Sequence, residues 1–167
     1  MHHKFFNRLF LLSLLYIFTR ACFASPIQNF YALTLSIMSY SKWPADNVPT
    51  LCIIDNPTVA NSFQSQVKQQ SYSYKIQAIP ASSFSKTQCQ AVYFSNLSPQ
   101  QQQNLINSYP TRNVLSFSSN NSDCEIGSIF CLYQQKGNAT FKVNLDSLSR
   151  SQIRIDPRVL LLAKNAE

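Results

Sequence analysis

Leu51-Cys52-Ile53-Ile54-Asp55-Asn56-Pro57 is the stretch from which the fold can be read. Four consecutive apolar residues make a strand covered on both faces, as in a sheet sandwiched between helices. Asn56-Pro57 then opens a helix, with Asn as the N-cap and Pro in the first turn, predicted to run to about Gln69. The device recurs. Ala91-Val92-Tyr93-Phe94 is a second apolar strand, followed by Ser98-Pro99 and a helix to about Ser108. Asp156-Pro157 opens a last helix to about Lys164. Tyr74 to Ile79 alternates as a strand, and Asn113 to Phe117 is a further one. Ile126–Tyr133 and Thr140–Asn144 flank Lys136-Gly137-Asn138, a hairpin turn signal. Leu145 to Arg150 reads as a short helix. Upstream, the apolar spacing from Pro26 to Tyr40 predicts a helix that Trp43-Pro44 closes, because the residue before proline is pushed out of the helical region. The expected fold is one α/β layered domain, a mixed central sheet flanked by helices. The Gln100–Gln103 run is expected on the exposed first turns of its helix.

The composition narrows the chemistry. The chain has 167 residues, 14 Lys+Arg, 7 Asp+Glu, 2 His, 2 Gly and 5 Cys. Charged residues make up 13%, about half the usual share. Ser, Gln and Asn, at 23, 15 and 14, supply the polar surface instead. Two glycines exclude a dinucleotide fingerprint, a phosphate-cradling loop and a nucleophile elbow.

Residues 1–24 have the layout of a cleaved signal peptide. Lys4 and Arg8 form a basic start, Leu9 to Phe18 an apolar run, and Cys22-Phe23-Ala24 a cleavage site. The run is too short to span a membrane, which takes roughly 20 residues. Export would leave a soluble periplasmic domain of 25–167. It would carry no histidine, 11 basic and 7 acidic groups, the signal having taken His2, His3, Lys4, Arg8 and Arg20. That removes Ser-His-Asp and Cys-His catalysis, histidine metal sites and histidine pH switching. Only Arg150, Arg154 and Arg158 recur at helix-like spacing, too sparse for nucleic acid.

Cys52, Cys89, Cys124 and Cys131 remain. Four cysteines in an oxidising compartment predict two disulfides, with three possible pairings. The short Cys124–Cys131 segment favours a local bridge, since Gly127 lets the chain turn back, and Cys52 then pairs with Cys89. No C-x-x-C spacing points to redox or zinc chemistry.

The carboxylates offer no paired site. Asp156 reads as an N-cap, Asp55-Asn56-Pro57 as turn chemistry and Trp43 as a core anchor. The run Val159 to Ala163 is apolar nearly all round, so it is either buried or offered to a partner. The residues alone describe an exported, disulfide-stapled α/β domain that binds rather than catalyses and holds no cofactor or metal.

An ordered set of segments resembles the YfiR family, periplasmic repressors of inner-membrane diguanylate cyclases. The set is Tyr40-Ser41-Lys42-Trp43-Pro44 after the first helix, Leu51-Cys52-Ile53, Cys89-Gln90-Ala91-Val92-Tyr93-Phe94, the Cys124–Cys131 segment, Phe141 to Ser151, and Asp156 to Ala163. The resemblance covers 27–164. It departs where many members carry a second glycine between the last two cysteines; this chain has Ile126 or Ser128 there.

The resemblance implies an α/β fold with Cys52–Cys89 and Cys124–Cys131 bridges. It implies a non-enzymatic protein that holds the periplasmic region of a diguanylate cyclase inactive, lowering cyclic di-GMP and favouring motility over biofilm. An OmpA-like outer-membrane lipoprotein would sequester it, and members form homodimers. The partner-binding residues expected are Ile153, Arg154, Ile155, Arg158 and Leu161, where apolar and arginine side chains combine as interface anchors do. The competing reading is a periplasmic small-molecule or redox sensing domain.

Overall fold

Among the described residues six strands form one sheet in the spatial order Lys75–Ile79, Thr50–Ile54, Ala91–Phe94, Leu115–Ser118, Phe130–Gln135, Asn138–Val143, and every neighbouring pair is parallel except the last. The computed structural model describes residues 29–44, 47–111 and 113–164. The expected signal segment, 1–24, lies outside them. In chain order the elements are α1 (Phe30–Ser39), β1 (Thr50–Ile54), α2 (Pro57–Gln69), β2 (Lys75–Ile79), a 3-10 turn (Ala81–Lys86), β3 (Ala91–Phe94), α3 (Pro99–Ser108), β4 (Leu115–Ser118), β5 (Phe130–Gln135), β6 (Asn138–Val143), α4 (Leu145–Ser151), a second 3-10 turn (Pro157–Leu160) and α5 (Leu161–Lys164). The fold class is the α/β sandwich with a mixed sheet that the strand and cap pattern predicts, and both predicted bridges are present.

Alternation along the strands divides the core in two. Leu51, Ile53, Ala91, Tyr93, Leu115 and Phe117 face α1 and α2, whose Leu33, Leu35, Ile37, Met38 and Phe63 are fully buried. Cys52, Ile54, Val92 and Phe94 face the other way, onto Phe84, Tyr109 and α3. The Asn/Ser-Pro starts work as read. Asn56 accepts from the Val59 N–H at 3.1 Å, and Ser98 forms a reciprocal capping box with Gln101.

Parallel strands need a crossover, and between β4 and β5 it contains no helix. Residues 119–129 do the job as a loop, closed by Cys124–Cys131 and pinned to α3. The pin is Gln102. Gln100 and Gln101 are exposed as expected and Gln103 is half-buried, but Gln102 is fully buried. Its amide nitrogen donates to the Leu97 carbonyl at 2.7 Å and to Ser118 Oγ at 2.9 Å, and its Oε1 accepts from Ser128 Oγ at 2.9 Å. The expectation fails at that residue because a helix laid across a sheet must turn one side inward, whatever its composition. Here the sheet offers Ser118 rather than an apolar side chain, so an amide is the fitting partner.

Gly127 is required by this docking. Its φ of +87° is left-handed, and a Cβ there would sit 2.9 Å from the Pro99 carbonyl oxygen and 3.1 Å from Gln102 Oε1. Gly137, at φ +82°, has nothing within 4 Å of its Cβ position. Gly127→Ala is therefore expected to lose about 2–3 kcal/mol and Gly137→Ala only about 1 kcal/mol. Paired urea titrations check this; equal losses would mean that the backbone angle alone matters.

Lys136 and Gly137, both at positive φ, make the two-residue turn of the β5–β6 hairpin, with Gln135 opposite Asn138. β5 starts at Phe130 rather than Ile126, because residues up to 129 belong to the docked loop. The three arginines at helix-like spacing do not share a helix. α4 ends at Ser151, Gln152 takes φ +57°, Arg154 is in extended chain and Arg158 is in the second 3-10 turn.

Candidate interaction surface

Open α/β sheets present ligand groups beyond the carboxyl ends of their strands, where the strand order reverses. Here that point lies between β1 and β3, and its polar groups bind one another. Asp55, at φ +52°, accepts from the Ala81 N–H at 3.1 Å. The Asn56 side chain donates to Ser95 Oγ at 3.0 Å while capping α2. Asp55-Asn56-Pro57 is turn and cap chemistry, as the sequence indicates.

The opening lies at the other end of the sheet. A groove of about 570 Å³ runs past the amino ends of β3 and β4, between the Lys42-Trp43-Pro44 segment and the chain from Gln152 to Arg154. Gln88, Cys89, Gln90 and Tyr109 form part of its lining. Among its described lining residues are two cations, Lys42 and Arg154, and no carboxylate.

Each wall has a physical anchor. Trp43 is half-buried against the core and donates its Nε1–H to the Met38 carbonyl at 2.9 Å, so the α1 end holds the indole in place. The Tyr109 hydroxyl accepts from the Cys89 N–H at 2.8 Å and faces the Cys89 carbonyl at 2.9 Å, while its ring stacks on Phe84. Tyr109 thereby fastens the end of α3 to the residue that carries the Cys52–Cys89 bridge.

The opposite wall is a strap, residues 152–156, laid against the chain leaving α1. Lys42 N–H donates to the Arg154 carbonyl at 3.0 Å and Asp156 N–H to the Tyr40 carbonyl at 2.8 Å. A second hollow, about 510 Å³, borders the strap and shares Lys42, Ile153 and Arg154 with the groove. Asp156 ends the strap by accepting from the Arg158 backbone N–H at 2.9 Å and pairing with its guanidinium at 2.6 Å. Those bonds, the side-chain one foremost, hold its carboxyl down to about 2, so it is ionised throughout the physiological range.

Of the five residues expected to bind a partner, Ile153, Arg154 and Ile155 lie in this strap, Arg158 in the turn after it and Leu161 at the start of α5. Ile153 and Ile155 are half-buried and pack on the main core, so both have a structural part. Arg154 is exposed, Arg158 is exposed and ion-paired, and Leu161 is 54% exposed. Val159 is buried, so the apolar carboxy-terminal run is divided between core and surface. Sequence reasoning missed Lys42, Gln88, Gln90 and Tyr109 as groove residues. The Tyr40–Pro44 motif and the expected contact residues Ile153 and Arg154 marked two of its walls in advance.

The sequence pattern of the YfiR/HmsC-like family matches residues 29–164. The chain belongs to the YfiR/HmsC-like family. YfiR/HmsC-like proteins are periplasmic, non-catalytic regulators in diguanylate cyclase signalling. Among the described residues of this YfiR/HmsC-like chain, no helix is long and apolar enough to cross a membrane.

Proposed function

We propose that this protein is a periplasmic repressor that binds the periplasmic region of a membrane-anchored diguanylate cyclase and holds it inactive. Cyclic di-GMP then stays low, and motility is favoured over biofilm. Residues 1–24 direct export and are cleaved, leaving 25–167 as the working domain. An OmpA-like outer-membrane lipoprotein competes for the repressor and releases the cyclase, and the repressor acts as a homodimer.

The observation that supports this most is the family match over 29–164, taken with a groove at the sheet end opposite the usual ligand site. A contact repressor needs a stable surface with different affinities for two states of its partner. The strap residues Ile153, Arg154 and Ile155, with Arg158 and Leu161 after them, are the proposed contact. Deleting the gene in a strain that expresses the cyclase should raise cellular cyclic di-GMP and reduce swimming, and restoring the wild-type chain should reverse both. An unchanged nucleotide level rejects the proposal.

A further inference from the structure

Ser41 and Ile155 form one antiparallel bridge of the kind in which the hydrogen bonds are made by their neighbours. In such a pair the N–H and C=O of the two bridged residues point away from each other. The Ser41 N–H is taken by the Met38 carbonyl at 3.1 Å. The N–H and C=O of Ile155 have no hydrogen-bond partner among the described residues. On either side the backbone has nothing further to donate outward: the Ile153 N–H goes to Ser151 Oγ at 3.2 Å, and residue 157 is proline. The outer edge of the strap is thus a strand edge one residue long, with a donor and an acceptor that no described residue takes up.

Beside that edge lies the 510 Å³ hollow, with Leu148, Ile153 and Pro157 supplying apolar wall and Lys42 and Arg154 supplying charge. The carboxylate there, Asp156, is already paired with Arg158 at 2.6 Å. Neither Lys42 nor Arg154 has a carboxylate within ion-pair distance among the described residues, and Lys42 acts on Asp156 only at longer range. An occupant of this site has to bring an extended backbone, an apolar side chain and a carboxylate.

We propose that the strap captures an extended, acidic segment of the cyclase's periplasmic region by strand addition. The segment's backbone pairs with the N–H and C=O of Ile155, an apolar side chain fills the hollow, and a carboxylate meets Arg154 and Lys42. Main-chain pairing then supplies affinity, and the hollow and its charges supply selectivity. The inference rests on the reading that a diguanylate cyclase is the partner.

The test is residue-resolved amide exchange on the unaltered mature chain, alone and with the purified periplasmic region of the cyclase. Alone, the Ile155 amide should exchange fast, while the bonded amides of Lys42 and Asp156 exchange slowly. In the complex Ile155 should slow by about tenfold or more, beyond any change at Lys42 and Asp156. In parallel, Arg154→Glu should weaken the complex by about tenfold or more and reduce its salt dependence. A complex that forms without protecting Ile155, or that slows all three amides alike, overturns strand addition and leaves the repressor reading intact. Unchanged affinity for Arg154→Glu overturns the acidic occupant. Failure of the two proteins to associate at all rejects both readings.

Discussion

Replacing Cys52 and Cys89 together by alanine is expected to destabilise the fold by about 4 kcal/mol, and replacing Cys124 and Cys131 by about 2.5 kcal/mol. The difference follows from sequence separation, 37 against 7, because a longer closed loop removes more freedom from the unfolded chain. Position adds to it. Cys52 is fully buried and Cys89 nearly so, within the cluster that joins Ile54, Val92 and Phe94 to Phe84 and Tyr109. The bridge also fixes the Cys89 backbone that Tyr109 grips, so its loss loosens one wall of the groove. Against a total of about 5–15 kcal/mol, losing the long bridge leaves a marginal protein and losing the short one does not. Thermal melts, steady-state abundance and cellular cyclic di-GMP of the two double variants check this together. A short-bridge variant that melts lower than the long-bridge one would mean that packing around the 119–129 loop outweighs chain entropy. Two stable, abundant variants that both fail to repress would mean that the bridges shape the contact surface rather than support the fold.

Gln102→Leu should cost about 3–5 kcal/mol, whereas Gln100→Ala two residues earlier should stay within about 0.5 kcal/mol. Leucine fills the same space but leaves the Leu97 carbonyl, Ser118 Oγ and Ser128 Oγ facing a hydrocarbon wall. Each buried polar group stripped of its partner costs about 1–3 kcal/mol. Ser118 Oγ keeps one partner, since it also accepts from the Asn120 N–H at 3.0 Å, which sets the total below the simple sum. The exposed Gln100 pairs with Asn104 along the helix surface. Urea unfolding of the two variants gives the comparison directly. Equal, small losses would show that the crossover loop is held by its disulfide and by Gly127 without the amide.

The contrast between Gln100 and Gln102 shows where the sequence could and could not be read. Apolar strands and Asx/Ser-Pro starts are local signals, each decided by a few adjacent residues, and they place β1, β3, α2 and α3 within a residue or so. Cysteine spacing and Gly127 give the short bridge for the same reason. Gln102 depends on which side of α3 meets the sheet, and on a serine, Ser118, sixteen positions away that asks for an amide. Nothing within the glutamine run encodes that. The strap is a similar case. Ile153, Arg154 and Ile155 attract notice by composition, but they fall in the gap between the two helices that the sequence predicts, Leu145 to Arg150 and the one opened by Asp156-Pro157, and nothing local gives that gap a shape. The left-handed turn at Gln152 and the pairing with Tyr40 and Lys42 belong to long-range structure. The groove was least legible, since its walls come from the end of α1, the entrance to β3, the end of α3 and the strap, which meet only when the sheet is complete.

The short pairing between β4 and β5 has a consequence for how the molecule is assembled. Phe117 with Phe130 and Ser118 with Cys131 are the registered pairs that join the hairpin to the parallel sheet, whereas β5 and β6 pair along their full length. The hairpin can form early and locally, on the microsecond scale of such turns, before it docks onto the completed parallel strands. Once docked, it is tied to β4 by Phe130 stacking on Phe117 at 5.5 Å and by the Ile129 N–H donating to Ser116 Oγ at 2.9 Å, while the edge-on contact of Phe130 with Phe141 at 5.3 Å lies within the hairpin itself. The sheet therefore has a seam. Two units meet along it, the four parallel strands with their helices and the hairpin with α4, and they share one buried cluster that runs from Leu33 and Phe117 to Phe130, Leu132 and Phe141. The strap follows directly from α4 yet is hydrogen-bonded to the end of α1, so it bridges the seam. A partner that grips the strap from outside would pull on both units at once, and its binding would be felt as a stiffening of the seam between them.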